Sequence, residues 1–132
     1  MALEGVGPIG ALLLYATLGT GEAFKSGREF SAYLGLTPKQ FSSGGKTNII
    51  GISRHVANRR LRAVLIQGAR SYVHKRQQAA SSKDEWMLAL VARRGSGRAA
   101  VAVANKNVRT AWAMLTQGTE YKCLPCEPAI AA

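Results

Sequence analysis

Two hydroxyls and a lysine stand together in a glycine-rich stretch, Phe41-Ser42-Ser43-Gly44-Gly45-Lys46. A serine held on a loop beside a cation can meet a phosphodiester, because the cation draws the phosphate in. At its ordinary pKa a serine hydroxyl is a weak nucleophile, so it needs a base or a metal, and no histidine lies in this stretch. Serine and glycine are also the usual material of surface loops, so nucleophile and plain loop stand as alternatives on spacing alone. Metal chemistry has less behind it. Cys123-Leu124-Pro125-Cys126 is a lone Cys-x-x-Cys, and a tetrahedral zinc site needs two more ligands, for which only the distant His55 and His74 are available. No two carboxylates are spaced to share Mg²⁺, and Asp84 beside Glu85 reads as a helix cap and dipole partner. The expectation is that this chain holds no metal and no cofactor by itself.

Charge is the larger signal. The 132 residues carry 18 Lys and Arg against 7 Asp and Glu, a net charge of +11. No acid at all occurs between Glu29 and Asp84, a stretch that holds Lys39, Lys46, Arg54, Arg59, Arg60, Arg62, Arg70, Lys75, Arg76 and Lys83. Solvated faces normally mix signs to limit self-repulsion, so a one-signed segment of this length points to a polyanion, most simply a phosphate backbone. At 47% hydrophobic the chain can bury a core, which rules out disorder of the low-hydrophobicity kind. The apolar run from Gly10 to Ala16 falls well short of the roughly 20 residues a bilayer span requires. The start Met-Ala-Leu-Glu lacks the positive region of a signal peptide, and two cysteines make no disulfide framework, so a reducing cytoplasmic setting is expected.

The elements that would position these residues are mainly helical. Pro8 suits a first helical turn and the apolar run to Leu18 predicts a buried helix ended by Gly19. Gly5-Val6-Gly7 before it has the spacing of a helix-hairpin-helix turn, whose amides at a helix N-terminus can hold a phosphate. Ser26 with Glu29 forms a capping box for a short helix through Tyr33, closed by Gly35. Residues 39–53 read as loop, with a short strand-like Ile49-Ile50. From about Asn58 to Arg76, Leu61, Val64, Leu65, Ala69, Tyr72 and Val73 repeat at helical spacing, with Arg59, Arg60, Arg62, Arg70 and Arg76 expected on the polar face. Ser82 with Glu85 marks a further capping box, opening a helix to Arg93 with Trp86, Leu90 and Val91 inside. A last helix, roughly Ala99 to Gln117, is expected to bury Val101, Val108, Trp112 and Leu115, and residues 119–132 read as a tail without fixed structure. The predicted fold is mainly α, a small helical domain with a helix-hairpin-helix-like turn at its N-terminus and a Ser/Gly-rich loop.

These blocks, in this order, resemble a known domain. Gly5-Val6-Gly7-Pro8 with Ala11, then Phe24, Gly27-Arg28-Glu29-Phe30, Tyr33-Leu34-Gly35-Leu36-Thr37-Pro38, Ser42-Ser43-Gly44-Gly45-Lys46, Gly51-Ile52-Ser53-Arg54 and Leu61-Arg62 carry the likeness. The domain is the C-terminal transposase domain of the IS-one-ten class of bacterial insertion sequences, most closely its IS-eleven-eleven branch. The resemblance runs over nearly the whole chain to about Gly118, and it implies a transposase domain over residues 1–118 followed by the tail.

What the resemblance implies about function is specific. Members have an N-terminal RuvC-like domain whose acidic residues bind Mg²⁺, a coiled coil, and this domain, in which a serine attacks a DNA phosphodiester. The serine at the matching position is Ser43, with Ser42 its neighbour and rival. The metal-bound acids would activate it from another domain, of another subunit, so the expected partners are DNA, a structured guide RNA and further copies of the protein, with no membrane. Gly5, Gly7, Lys46, Arg54, Arg59, Arg60 and Arg62 are the expected nucleic-acid contacts. Without the acidic domain the chain is expected to bind DNA but not to cut it. One departure stands out: the family's basic-Gly-Asn turn is here Arg54-His55-Val56-Ala57-Asn58, longer and without glycine, so the resemblance does not set the aim of Arg54 and Arg59. Two other readings fit the charge. One is a non-catalytic helical nucleic-acid-binding module derived from a transposon; the other is an amphipathic helix on a membrane surface.

Overall fold

The computed structural model describes residues 3–43, 46–52, 58–79 and 84–118, with residues 38–52 described by backbone alone. In chain order come α1 (Pro8–Leu18), α2 (Gly27–Tyr33), β1 (Pro38–Ser43), β2 (Lys46–Ile52), α3 (Arg59–Gln78), α4 (Glu85–Arg94) and α5 (Ser96–Gln117). The domain is mainly α, as its periodicities predict. The Arg54 position, the Ser82 cap, the Cys123–Cys126 pair and the tail from residue 119 lie outside the described residues.

Alanine decides what sits at the centre. Helix α5 buries Ala99, Ala100, Ala104 and Ala111 together with Val103 and Val108, and α1, α2, α3 and α4 all pack against it. Small side chains let several helices approach one axis closely, which a helix carrying Leu or Phe on every side would prevent. The stripe differs from the expected one: Val108 is buried, whereas Val101, Trp112 and Leu115 are only partly buried, and the helix begins at Ser96. Around this axis the core is completed by Leu14 and Leu18 of α1, Phe30 of α2, Leu34 and Leu36 beyond it, and Leu61, Leu65, Ala69 and Val73 of α3. Phe24, Phe30 and Tyr33 cluster with tilted and stacked rings, the closest pair 4.8 Å between centroids.

Local chemistry sets the helix ends. The Glu29 amide donates to Ser26 Oγ at 3.2 Å, and the Glu29 carboxylate returns to the Lys25 amide at 2.6 Å, one residue earlier than an ideal box. Gly35, at φ +68°, closes α2. Asn58 caps α3, its Oδ1 accepting from the Leu61 amide at 3.1 Å, and its Nδ2 reaches Thr17 Oγ1 of α1 at 3.4 Å. The glycine-free sequence Arg54–Asn58 therefore still ends in a side-chain cap, tied to the neighbouring helix.

Three expectations need correction. Residues 39–53 are not simply loop: β1 and β2 pair antiparallel, with Phe41 opposite Asn48 and Ser43 opposite Lys46. A Gly-Gly pair between paired residues is the sequence form of a two-residue hairpin, and Thr47, Ile49, Ile50 and Ile52 are β-branched. Second, α1 is buried on one side only. Gly10, Leu14 and Leu18 face inward, while Ile9, Leu12 and Tyr15 are 67%, 66% and 62% exposed, because α3 and α5 cover just one face of a helix that is apolar all round. Third, α4 is rotated relative to expectation. Met87 is its buried residue and Trp86 points outward, while Leu90 and Val91 are half-buried.

Candidate nucleic-acid interface

Helix α3 has 20 residues and no acid among them. Its cations divide by position along the helix. Arg59, Arg60, Arg70 and Lys75 are exposed. Arg62 and Arg76 fall on the stripe that contains the buried Leu65, Ala69 and Val73, three or four residues apart, and both are only half-exposed. The expected five-arginine polar face is thus narrower than its sequence suggested. Arg59 and Arg70 share one side of the helix about 16 Å apart along the axis. Arg59 and Arg60 occupy the first turn, where unpaired backbone amides already make the potential positive. Two cations there oppose the helix dipole and add to its pull on an anion.

Arg76 has a different task. It lies 3.9 Å from Glu4 Oε1 and 3.8 Å from Asp84 Oδ2, and 5.7 Å from the Tyr72 ring centroid. The Tyr72 hydroxyl lies 2.6 Å from both Glu4 Oε2 and Asp84 Oδ1 and shares its one proton between the two carboxylates. Asp84 is buried and does not cap α4 with its side chain, so its expected role as a cap is replaced by this cluster. Glu4, Tyr72 and Asp84 are distant in sequence, and no local spacing signals their meeting. The cluster pins the N-terminal segment to α3 and to the start of α4, while Asn107 of α5 holds the Glu4 carbonyl at 2.8 Å.

Burial, reinforced by hydrogen bonds to two carboxylates and their charge, holds the Tyr72 hydroxyl far above its ordinary value of 10. The folded phenol keeps its proton where the unfolded one would lose it. Its contribution to stability is therefore fully present below pH 10 and is lost as the pH rises beyond that point. In Tyr72→Phe, urea unfolding followed across about pH 9 to 11.5 is expected to show a flatter alkaline decline than the parent protein. The part of the phenolate absorbance that appears only on unfolding should vanish with it.

Against this cluster lies an open groove of about 500 Å³, lined by Glu4, Gly5, Val6, Gly7, Ser71, Tyr72, Lys75 and Arg76 among others. Gly7 is the N-cap of α1, with no side-chain cap and with open space where a Cβ would be. Gly5, at φ +87°, is pressed backbone to backbone against Gly68 of α3. The structure therefore brings Gly5, Gly7 and Lys75 to one groove, and gives Gly5 a packing duty there. Arg59 and Arg60 stand at the other end of α3.

Ser43 and Lys46 are paired at the closed end of the hairpin, the sequence Gly44-Gly45 between them lying outside the described residues. No three His, Cys, Asp or Glu side chains gather among the described residues in a way that could hold a metal ion. Glu4 and Asp84 do come together, but their oxygens are engaged by the Tyr72 hydroxyl and the Arg76 guanidinium, so this pair does not fit Mg²⁺. No helix among the described residues is long and apolar enough to cross a membrane.

Comparison with known proteins gives this basic helical domain its family. The family model of the transposase IS116/IS110/IS902 family matches residues 1–84, from the N-terminus through α3. The chain is 43% identical over 122 residues to the "Transposase for insertion sequence element IS1111A" of Coxiella burnetii, an alignment covering 92% of this chain and 33% of that protein. It is 40% identical over 122 residues to a "Probable family 20 transposase" of Pseudomonas aeruginosa, covering 92% and 36%. It is 39% identical over 121 residues to the "Transposase for insertion sequence element IS1328" of Yersinia enterocolitica, again covering 92% and 36%. The chain belongs to the transposase IS116/IS110/IS902 family. It spans about a third of the length of the curated relatives it matches. No solved structure matches it.

Proposed function

We propose that this chain is the DNA-binding and serine-bearing part of an insertion-sequence transposase, acting in DNA transposition. The observation that carries the DNA-binding half is the first turn of α3. Exposed Arg59 and Arg60 sit where the helix dipole is already positive, on a helix without a single acid. That arrangement costs stability in the free protein and is relieved when a phosphate arrives, as a binding surface requires. Arg70 extends the same face, and Lys46 and Arg54 flank it in sequence. Gly5 and Gly7, with Lys75 across the groove, are a second backbone contact in this reading. The Asn58 cap, tied to Thr17, fixes the direction in which α3 starts and so the direction of its first two arginines.

Ser43 is the proposed nucleophile, and its hydroxyl would be activated by Mg²⁺ held on carboxylates of another domain in the complete transposase. Structured RNA and further copies of the protein belong to that complete assembly. Alone, the chain binds DNA without cleaving it. Binding to duplex DNA measured over a decade of salt is the test. Log affinity should fall steeply, and Arg59→Ala with Arg60→Ala should make the fall shallower by about 0.9 per lost phosphate contact. An unchanged slope would remove α3 from the interface. Strand cleavage by this chain with Mg²⁺ alone would remove the need for a second domain.

A further inference from the structure

Residues 85–118 lie beyond the family model, and α4 and α5 carry a feature that the reading of α3 does not use. Trp86 is 50% exposed, although α4 has a buried face available at Met87. Lys106 of α5 reaches across the α4–α5 hairpin and sets its Nζ 4.9 Å from the Trp86 ring centroid. Trp86 is thus carried by α4 with a cation from the neighbouring helix over its ring, and half of the residue is open to solvent.

Its surroundings are mostly basic. From residue 85 to 118 the cations are Arg93, Arg94, Arg98, Lys106 and Arg109, all exposed, against the single carboxylate of Glu85. Arg93 lies about two turns beyond Trp86 on the same side of α4. Arg98 lies about two turns before Lys106 on α5. The indole therefore has one cation, Lys106, set over its ring, and shares its two helices with four more.

We propose that Trp86, backed by Lys106, is a stacking platform for an unpaired nucleobase of single-stranded nucleic acid. A base inside a duplex already has both faces stacked, so an exposed indole gains little from it. An unpaired base offers a free π-face, and its flanking phosphates find Arg93 and Arg98 nearby. A basic protein partner would be repelled by the same cations. The inference rests on nucleic acid being the bound polyanion, but it does not depend on α3.

The test is intrinsic fluorescence titration of the whole chain with oligothymidylate, oligouridylate and a blunt duplex. Trp112 serves as an internal reference, since it is partly buried and donates its indole N–H to the Gly21 carbonyl at 3.3 Å. Quenching by the single strands is expected in the parent protein and its loss in Trp86→Phe. Trp86→Ala should bind single strands about tenfold more weakly, with duplex affinity unchanged within about twofold. The two oligonucleotides separate DNA from RNA as the source of the base. Quenching that persists in Trp86→Phe, or single-strand affinity unchanged in Trp86→Ala, would overturn the proposal. So would light scattering showing that Trp86→Ala turns a dimer into a monomer, since a second copy would then be the occupant. Duplex binding without single-strand binding leaves the α3 reading standing and removes this one. Trp86-dependent single-strand binding without duplex binding does the reverse.

Discussion

Strand exchange by a complete transposase of this family is expected to stop when the serine matching Ser43 is changed to alanine, while DNA binding stays within about twofold. The methyl group of alanine cannot attack phosphorus, so no covalent step can begin, whereas a hydroxyl adds little to an affinity built from several cation–phosphate contacts. Loss of a nucleophile that works together with its activating groups costs on the order of 10⁴-fold or more in rate, far beyond the effect of removing one hydroxyl that takes no part in the chemistry. The two effects separate in one experiment, with recombination products scored beside a gel-shift titration. Ser42→Ala is the internal comparison. If it abolishes recombination while Ser43→Ala does not, the nucleophile is the other serine; recombination retained in both variants removes the hairpin from the chemistry.

The largest effect on stability is expected from Gly68→Ala. In an open helix interior this change stabilises by about 1 kcal/mol, because alanine lowers the entropy lost on folding. Here a Cβ at position 68 would collide with the Gly5 carbonyl oxygen, and the obstacle is backbone rather than a side chain that could swing away. Gly5 cannot retreat easily. It holds φ +87°, and its neighbour Glu4 is tied to Tyr72, Arg76 and Asn107. Overpacking of this kind costs about 1–3 kcal/mol, so the steric term outweighs the propensity gain and a net loss of up to about 2 kcal/mol is expected in urea unfolding. A net gain would show that the Gly5–Gly68 approach is loose and that Gly5 is free for another role.

Where local chemistry sets local structure, the sequence was readable. The Ser26–Glu29 box, the Gly35 stop and the stripe Leu61, Leu65, Ala69, Val73 all appear as expected, since each depends on neighbours within a turn or two. The hairpin is less legible, because a Gly-Gly pair followed by β-branched residues sits in a stretch whose serines and glycines equally suit a loop. For α4, a short helix with apolar residues on several sides leaves its rotation to its neighbours. Met87 rather than Trp86 turns inward because of how α4 lies on α5.

The candidate site divides the same way. The acid-free basic segment and the exposed Arg59 and Arg60 follow from composition and period. Ser43 follows from resemblance, because a serine in a glycine-rich stretch is not by itself distinguishable from an ordinary turn. Arg76 could not be taken out of the basic face by sequence reading. What removes it is a carboxylate near the N-terminus and another at the start of α4.

The sequence by itself determined the family, the helical class and the chain's own one-signed charge. Those properties are sums over residues or patterns within one helix, and folding does not change them. Tertiary structure alone decided which arginines stay exposed, that Glu4 and Asp84 share one tyrosine proton, and that Trp86 rather than Met87 faces solvent. Each of these depends on groups far apart in sequence, brought together by helices packing on α5, and no local spacing encodes such a meeting.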